Sequence, residues 1–277
     1  MTNQQRIAVT GATGLLGRLL RMVWAAAPPA GLVPLWIGRS GGSGPDEICA
    51  DLMADLPDLP KGCILLHLAS VAPGRPPSDH AALARAAVAM ADRAEARHLF
   101  VASTAAVYGI GRAPHAESGA TQPVSDYGRA KLEAEAVVAG RTATTILRIG
   151  NVAGADAILG NRAARVVLDP VPGQPEGPLR SYIGPRSLAR VMADLAVLAQ
   201  SGAALPAILN IAQAPPVGMA SLLRATGRDF EWGPWNPGVI PRVELVTTRL
   251  SALLPDLAPA TADGLVAERL SLPDWQP

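Results

Sequence analysis

Cysteine, aromatics, excess charge and long apolar runs are all scarce in this 277-residue chain. The two cysteines, Cys49 and Cys63, make no disulfide framework and read as small buried hydrophobes rather than nucleophiles. Aromatics are 4% of the residues, so the core must rest on Ala, Val, Leu and Ile. Lys and Arg total 24 against 23 for Asp and Glu, which gives no basic surface for nucleic acid or anionic lipid. No apolar run reaches the roughly 18 residues of a membrane span. Met1 to Arg6 has no apolar signal core, so the expected compartment is the cytoplasm. Glycine (27) and proline (26) are plentiful but show no Gly-X-Y period, which excludes a collagen-like chain. His67, His80, His98 and His115 have no ligand spacing, and no metal is expected.

What is present is an alternation of apolar strands and helical segments. Arg6–Thr10, Leu32–Ile37, Cys63–Leu68, His98–Ser103 and Thr144–Ile149 read as strands. Between them, Leu15–Ala27, Asp79–Arg97 (with Asp79 as cap) and Asp126–Ala139 read as helices. This order predicts an α/β fold, a doubly wound parallel sheet. The pattern changes after about Gly154, with a Pro/Gly-rich loop at 170–178 and Pro/Gly/Trp-rich chain at 233–241. The expected organisation is a dinucleotide-binding Rossmann domain at 1–154, rejoined by 187–215. Residues 155–186 and 216–277 form a small C-terminal substrate-binding cap, in which Trp232 and Trp235 are expected to pack.

Thr10-Gly11-Ala-Thr-Gly14-Leu-Leu-Gly17 follows the first strand and opens the first helix. Gly11 permits the tight turn, Gly14 a close approach to a pyrophosphate, and Gly17 close helix–sheet packing; the helix N-terminus then favours the phosphate charge. An acid at the end of the second strand would favour NAD. Gly38-Arg39-Ser40 stands there instead. Arg39 and Ser40 suit a 2′-phosphate, so NADP(H) is favoured over NAD(H); the alternative is a solvated loop arginine. Asp51-Leu52 can place a carboxylate on the adenine amino group, or simply cap a turn.

Tyr127 and Lys131 stand four apart in Tyr127-Gly-Arg-Ala-Lys131, on one helix face. An ammonium beside a phenol of pKa near 10 is expected to lower that pKa and fit Tyr127 for proton transfer.

The ordered motifs from residue 6 to about 154 resemble the extended short-chain dehydrogenase/reductase family, also called the NAD-dependent epimerase/dehydratase family. They are the glycine turn, His67-Leu-Ala-Ser70, Ser103-Thr104 with Val107-Tyr108-Gly109, Tyr127 to Lys131 with Glu135, and Leu147-Arg148-Ile-Gly-Asn151-Val-Ala-Gly154. The resemblance implies a Rossmann fold and a catalytic set of Thr104, Tyr127 and Lys131. Thr104 would hydrogen-bond the substrate oxygen, and Lys131 would also hold the nicotinamide ribose. The implied cofactor contacts are Gly11, Thr13, Gly14, Leu15, Leu16, Gly17, Arg39, Ser40, Asp51, Leu52, Leu68, Ala69, Ser70, Ser103, Tyr127, Lys131 and Ile149. Thr104, Asn151 and Arg180 are implied on the substrate, Arg180 from the segment Leu179-Arg180-Ser-Tyr-Ile183. Relatives often dimerise through the helix bearing Tyr and Lys and the one before the fourth strand, so a homodimer is among the implied assemblies.

The chain departs from the family in places. The Asp before Leu-Ala is Ser187, and no Asn occurs between Val71 and Leu99, where many relatives carry one. Ala105-Ala106 replaces the acidic pair that dehydratases carry after the catalytic Thr. The expected function is therefore hydride transfer at a secondary alcohol or carbonyl of a sugar or sugar-nucleotide-like substrate. The alternatives are an NADPH-dependent reductase of a small carbonyl compound, or a non-enzymatic NAD(P)-binding sensor.

Overall fold

A computed structural model describes residues 5–40, 44–71, 76–160, 166–272 and 275. In chain order the elements are β1 Gln5–Thr10, α1 Leu15–Ala26, β2 Leu32–Gly38, β3 Glu47–Cys49, β4 Ile64–His67, α2 Asp79–Arg93, β5 His98–Thr104, α3 Asp126–Val138, β6 Thr144–Ile149 and β7 Asn151–Val152. There follow β8 Val166–Leu168, β9 Leu179–Ile183, α4 Pro185–Gln200, β10 Ile208–Ile211, β11 Gln213–Gly218, α5 Met219–Ala225, β12 Phe230–Trp232, β13 Arg242–Val243, α6 Thr248–Leu253 and α7 Ala262–Leu270. The chain divides into two compact units. The first comprises Met1–Gly109, Pro123–Arg148 and Ala189–Leu209; the second comprises Ile110–Gln122, Ile149–Leu188 and Asn210–Pro277. These cuts differ from the expected boundaries: the first unit gives up Ile110–Gln122 and leaves the central segment at Arg148 rather than 154.

The central sheet is seven-stranded and parallel, in the order β10-β6-β5-β4-β1-β2-β3. Ile7, Ala8 and Val9 of β1 and Ile64 and Leu65 of β4 are wholly buried. Such continuous apolar strands form because a parallel sheet is covered by helices on both faces. On one face α2 and α3 supply Leu83, Ala87, Met90, Ala134 and Val138 to a cluster with Leu65, Leu99 and Val101. On the other, Trp24 of α1 donates from its indole nitrogen to the Ala189 carbonyl of α4, at 3.1 Å. α1 stops at Ala26 because Pro28 and Pro29 follow.

Three expectations are corrected in this unit. The three-residue strand β3 adds an edge that no apolar run announces. The N-cap of α2 is Ser78 without a side-chain cap bond, and Asp79 lies inside the first turn. Cys49 is exposed, because it ends the edge strand, whereas Cys63 is buried. Burial pushes the Cys63 thiol up to about 11, so it is inert at neutral pH.

In the second unit β9 is the centre of a four-stranded sheet, antiparallel to β11 and parallel to β13 and β7. A separate pair joins β12 to β8. Tyr182, Val217, Leu222, Leu223 and Leu265 form the core. The strand β11 runs to Gly218, and α5 follows it directly at Met219. Trp235 is 60% exposed, against the expected packing, whereas Trp232, 45% exposed, meets the Phe230 ring edge-on with centroids 5.3 Å apart.

Candidate active site

The strand order reverses between β1 and β4, and a parallel sheet opens its binding crevice at such a switch point, at the carboxyl ends of the strands. The glycine turn lies there. Gly11 has φ +72°, and a Cβ on it would stand 2.6 Å from the Ala69 nitrogen after β4. At Gly17 a Cβ would run into the Gly11 carbonyl oxygen. Both glycines are therefore demanded by the close approach of two strand ends and a helix. Gly14 differs: a Cβ there would meet only the Gly11 oxygen, at 3.2 Å, and its outer face is open. Gly14 is also the N-cap of α1, which has no side-chain cap bond and no acidic residue in its first turn. An open glycine at an uncapped, positively polarised helix end fits a phosphate diester. Residues Gly11 to Gly17 thus fit the pyrophosphate of a dinucleotide.

Thr13 packs over the end of β2, where a Cβ on Gly38 would meet its methyl carbon at 2.8 Å. Arg18 donates to the Thr13 carbonyl oxygen at 3.0 Å and sets an exposed cation beside this loop, which the sequence reading passed over. Arg39 and Ser40 are exposed beyond β2. The next acid along the chain, Asp46, is an ion-pair partner of Arg6. Asp51 is exposed, and its Oδ1 accepts from the Met53 nitrogen at 3.1 Å, so its carboxylate already caps a turn. Leu52 packs in the core below the sheet, and what it offers a ligand is backbone.

At the end of β4, Thr10 Oγ1 lies 2.8 Å from His67 Nδ1 and accepts from the Ala69 nitrogen at 3.4 Å. Burial, helped by the Lys131 charge, drives the His67 pKa down to about 3, and the ring is a neutral structural link. Leu68 is buried, Ala69 is partly exposed and Ser70 is exposed.

The second part of the site is carried by β5 and α3. Thr104 ends β5; its Oγ1 accepts from Ala106 N at 3.2 Å and is hydrogen-bonded to the Tyr127 hydroxyl. Ser125 caps α3 by accepting from Gly128 N at 3.1 Å, which starts the helix just before Tyr127. Gly128 is a further requirement that was missed. A Cβ on it would lie 2.7 Å from the Ala106 oxygen, so only glycine lets the first turn of α3 rest on the Thr104 turn. Tyr127, Lys131 and Glu135 recur every fourth residue. Tyr127 is 48% exposed, whereas Lys131 and Glu135 are buried.

Lys131 Nζ donates to the Ala102 carbonyl oxygen at 3.0 Å. Burial lowers its pKa to about 8, against the pull of Glu135, so the ammonium persists at neutral pH. The expected lowering of Tyr127 is corrected. Burial of the phenol end holds its pKa above the usual value of 10, and only the Thr104 hydrogen bond pulls it down. Ser103, expected beside the nicotinamide, donates to Glu135 Oε1 at 2.5 Å and is buried. Glu135 in turn accepts from Arg148 Nη2 at 2.7 Å, and the guanidinium lies 4.8 Å over the Tyr108 ring. This buried chain locks the end of β5 to α3.

Ile149 ends β6 and is buried; Asn151 and Arg180 belong to the second unit, Asn151 on β7 and Arg180 on β9. Ile149 too falls in the second unit, and the remaining expected residues lie in the first. Arg180 is partly buried and donates to its neighbour's carbonyl, Leu179 O, at 2.8 Å; among the described residues no carboxylate pairs with it.

A parallel sheet with an open glycine turn at its switch point and Thr-Tyr-Lys at the next strand end is an arrangement of the short-chain dehydrogenase/reductase type of fold. The chain has the NAD-dependent epimerase/dehydratase type of this fold, and residues 72–169 match the model of the NAD dependent epimerase/dehydratase family. The UDP-glucose 4-epimerase of Thermus thermophilus, solved in complex with NAD, superposes with TM-score 0.69 at 21% identity, over 98% of this chain and 99% of that one. An NAD-dependent NDP-hexosamine 5,6-dehydratase of tunicamycin biosynthesis gives 0.73 at 17%, over 98% and 97%. A short-chain dehydrogenase/reductase superfamily protein of Agrobacterium tumefaciens with bound NAD gives 0.73 at 18%, over 96% and 98%. No curated protein matches in sequence. No helix among the described residues is long and apolar enough to cross a membrane.

Proposed function

We propose that this chain is an NAD(P)-dependent enzyme that moves hydride at a secondary alcohol or carbonyl of a sugar or sugar-nucleotide-like substrate. The observation that carries this is the Thr104–Tyr127 hydrogen bond, with a buried, still protonated Lys131 one turn along α3. Gly11, Gly14, Gly17 and the α1 N-terminus would hold the pyrophosphate, and Lys131 the nicotinamide ribose. When bound, the dinucleotide supplies or accepts hydride at the reacting carbon. Tyr127 Oη gives its proton to the substrate oxygen in the reductive direction and takes it back in the oxidative one. Thr104 orients that oxygen, and Asn151 and Arg180 contact the substrate. Among the described residues no carboxylate pairs with Arg180, and a guanidinium suits an anionic group because it offers a planar bidentate fork. Ala105-Ala106 stands where the resemblance implies an acidic pair in dehydratases, which argues against dehydration.

The second reading, an NADPH-dependent reductase of a small carbonyl compound, is favoured by two observations. Tyr127 holds its proton at neutral pH, which suits the reductive direction and costs the oxidative one. Arg39 and Ser40 stand where an acid would bind the ribose hydroxyls of NAD, so NADP(H) should bind more tightly. The test begins with the purified protein: bound NAD(H) supports epimerisation with retained cofactor, and an empty protein that turns over NADPH supports reduction. In either case Tyr127→Phe should keep dinucleotide binding and lose about a hundredfold or more in turnover. Binding that survives with no Tyr127-dependent turnover on any carbonyl or sugar substrate would leave a sensor. Arg180→Ala should raise KM for an anionic substrate and leave NADPH affinity unchanged. A homodimer is the proposed assembly, and light scattering showing a 28.5 kDa particle at micromolar concentration would refute it.

A further inference from the structure

One histidine stands against the proposed acid-base residue and takes no part in the mechanism above. His80 lies in the first turn of α2 and is buried. Its ring meets the Tyr127 ring edge-on, with centroids 5.8 Å apart and planes at 73°. Both of its nitrogens are engaged. Nδ1 lies 3.1 Å from the Pro77 carbonyl oxygen and Nε2 lies 3.2 Å from Ser70 Oγ. A carbonyl oxygen only accepts, so Nδ1 carries a proton. A neutral ring then leaves Nε2 as an acceptor, and the Ser70 hydroxyl must donate to it. Burial and the Lys131 charge both favour the neutral ring, against the weaker pull of Asp79 and the Pro77 hydrogen bond.

We propose that His80 is a positioning residue: its neutral Nδ1–H imidazole walls one side of the Tyr127 ring and holds the Ser70 proton, so that Ser70 faces a ligand with lone pairs only. Ser70 is exposed beyond β4, beside the glycine turn. A hydroxyl so fixed accepts from a ligand hydroxyl, such as a ribose or sugar O–H, and is mismatched to a carbonyl or phosphate oxygen. The helix α2 thereby couples the acid-base residue to the polarity of the crevice. This second role rests on the dinucleotide reading; the tautomer does not.

Two measurements test it. Nitrogen-edited NMR of the histidine side chains, with His80 assigned by its disappearance in His80→Phe, should show the neutral Nδ1–H form at pH about 7, and protonation only below the ordinary value of about 6.5. An Nε2–H form, or a charged ring at neutral pH, overturns the proposal whether or not the protein is an enzyme. The second measurement is NADPH affinity by calorimetry. His80→Phe keeps a ring against Tyr127 but removes the acceptor, and should weaken NADPH about fivefold. Ser70→Ala should do the same, and the double variant should lose no more than either single one. A space-filling histidine would let His80→Phe bind NADPH like the wild type, and that result refutes the positioning role. If no variant or wild type binds NADPH or NADH at all, the dinucleotide reading fails, and the NMR result still decides the tautomer.

Discussion

Lys131→Met should stabilise the protein at neutral pH while removing a member of the proposed catalytic set. Methionine keeps the length and most of the stem of lysine and deletes the charge. The side chain is buried, with the residue 6% exposed, and burial takes its pKa from 10.5 to about 8. At about 1.4 kcal/mol per pH unit, the charged form costs the fold roughly 3 kcal/mol. The variant also gives up the hydrogen bond to Ala102 O, worth about 1 kcal/mol. The net expected gain is about 2 kcal/mol. The dependence on pH has a definite sign. Below about 8 the lysine is charged both folded and unfolded, and the penalty is present in full. Between about 8 and 10.5 the unfolded chain binds a proton that the folded one does not, so the wild type gains stability as pH rises. The advantage of the variant should therefore shrink across that window, cross zero within it and become a deficit of about 1 kcal/mol near its top, where only the lost hydrogen bond remains. Urea denaturation followed by tryptophan fluorescence, at neutral pH and at pH about 10, measures both ends. A variant no more stable than wild type at neutral pH, or an advantage that does not change with pH, would refute the account of Lys131 as a charge held at a cost in stability for function.

Other perturbations separate the local from the long-range requirements. Glu135→Ala strands the buried Arg148 guanidinium and frees Ser103, and should cost about 3–5 kcal/mol in denaturant titrations; a loss below about 1 kcal/mol would show the chain of contacts to be idle. Gly11→Ala and Gly31→Ala both place a side chain at positive φ, near +72° and +71°, but only Gly11 also faces backbone, at Ala69. Gly31→Ala should cost about 1 kcal/mol and Gly11→Ala distinctly more, so equal losses would discard the close-approach argument. A reductive turnover assay should show an alkaline limb near pH 8, as Lys131 loses its proton. Lys131→Arg should move that limb upward, and a profile unchanged in the arginine variant would assign it to another group.

The glycine turn, the alternating strands and helices, and the Tyr127–Lys131 spacing were legible in the chain because each is a local pattern. A turn needing positive φ and close approach selects glycine within a few residues, and a buried parallel strand shows as an unbroken apolar run. The edge strand β3 was not legible, since three residues at a sheet margin carry no period. The second unit was read least well: β8 and β12 have three residues each, β11 carries two prolines, and their pairing partners lie far along the chain, so no window of sequence holds the signal. Environment was settled by tertiary structure alone. Nothing local tells Cys49, at an exposed edge, from Cys63, sealed beneath the sheet. Tyr127 and Lys131 share a helix face in the sequence. Yet it is the packing of α3 on β5 that buries the lysine, lowers its pKa and leaves the phenol above 10. His80 could not be placed beside Tyr127 from its own neighbourhood, because 47 positions separate them. Periodicity and turn chemistry determine elements; desolvation and distance between remote side chains, which set the chemistry, exist only once the sheet and its helices have assembled.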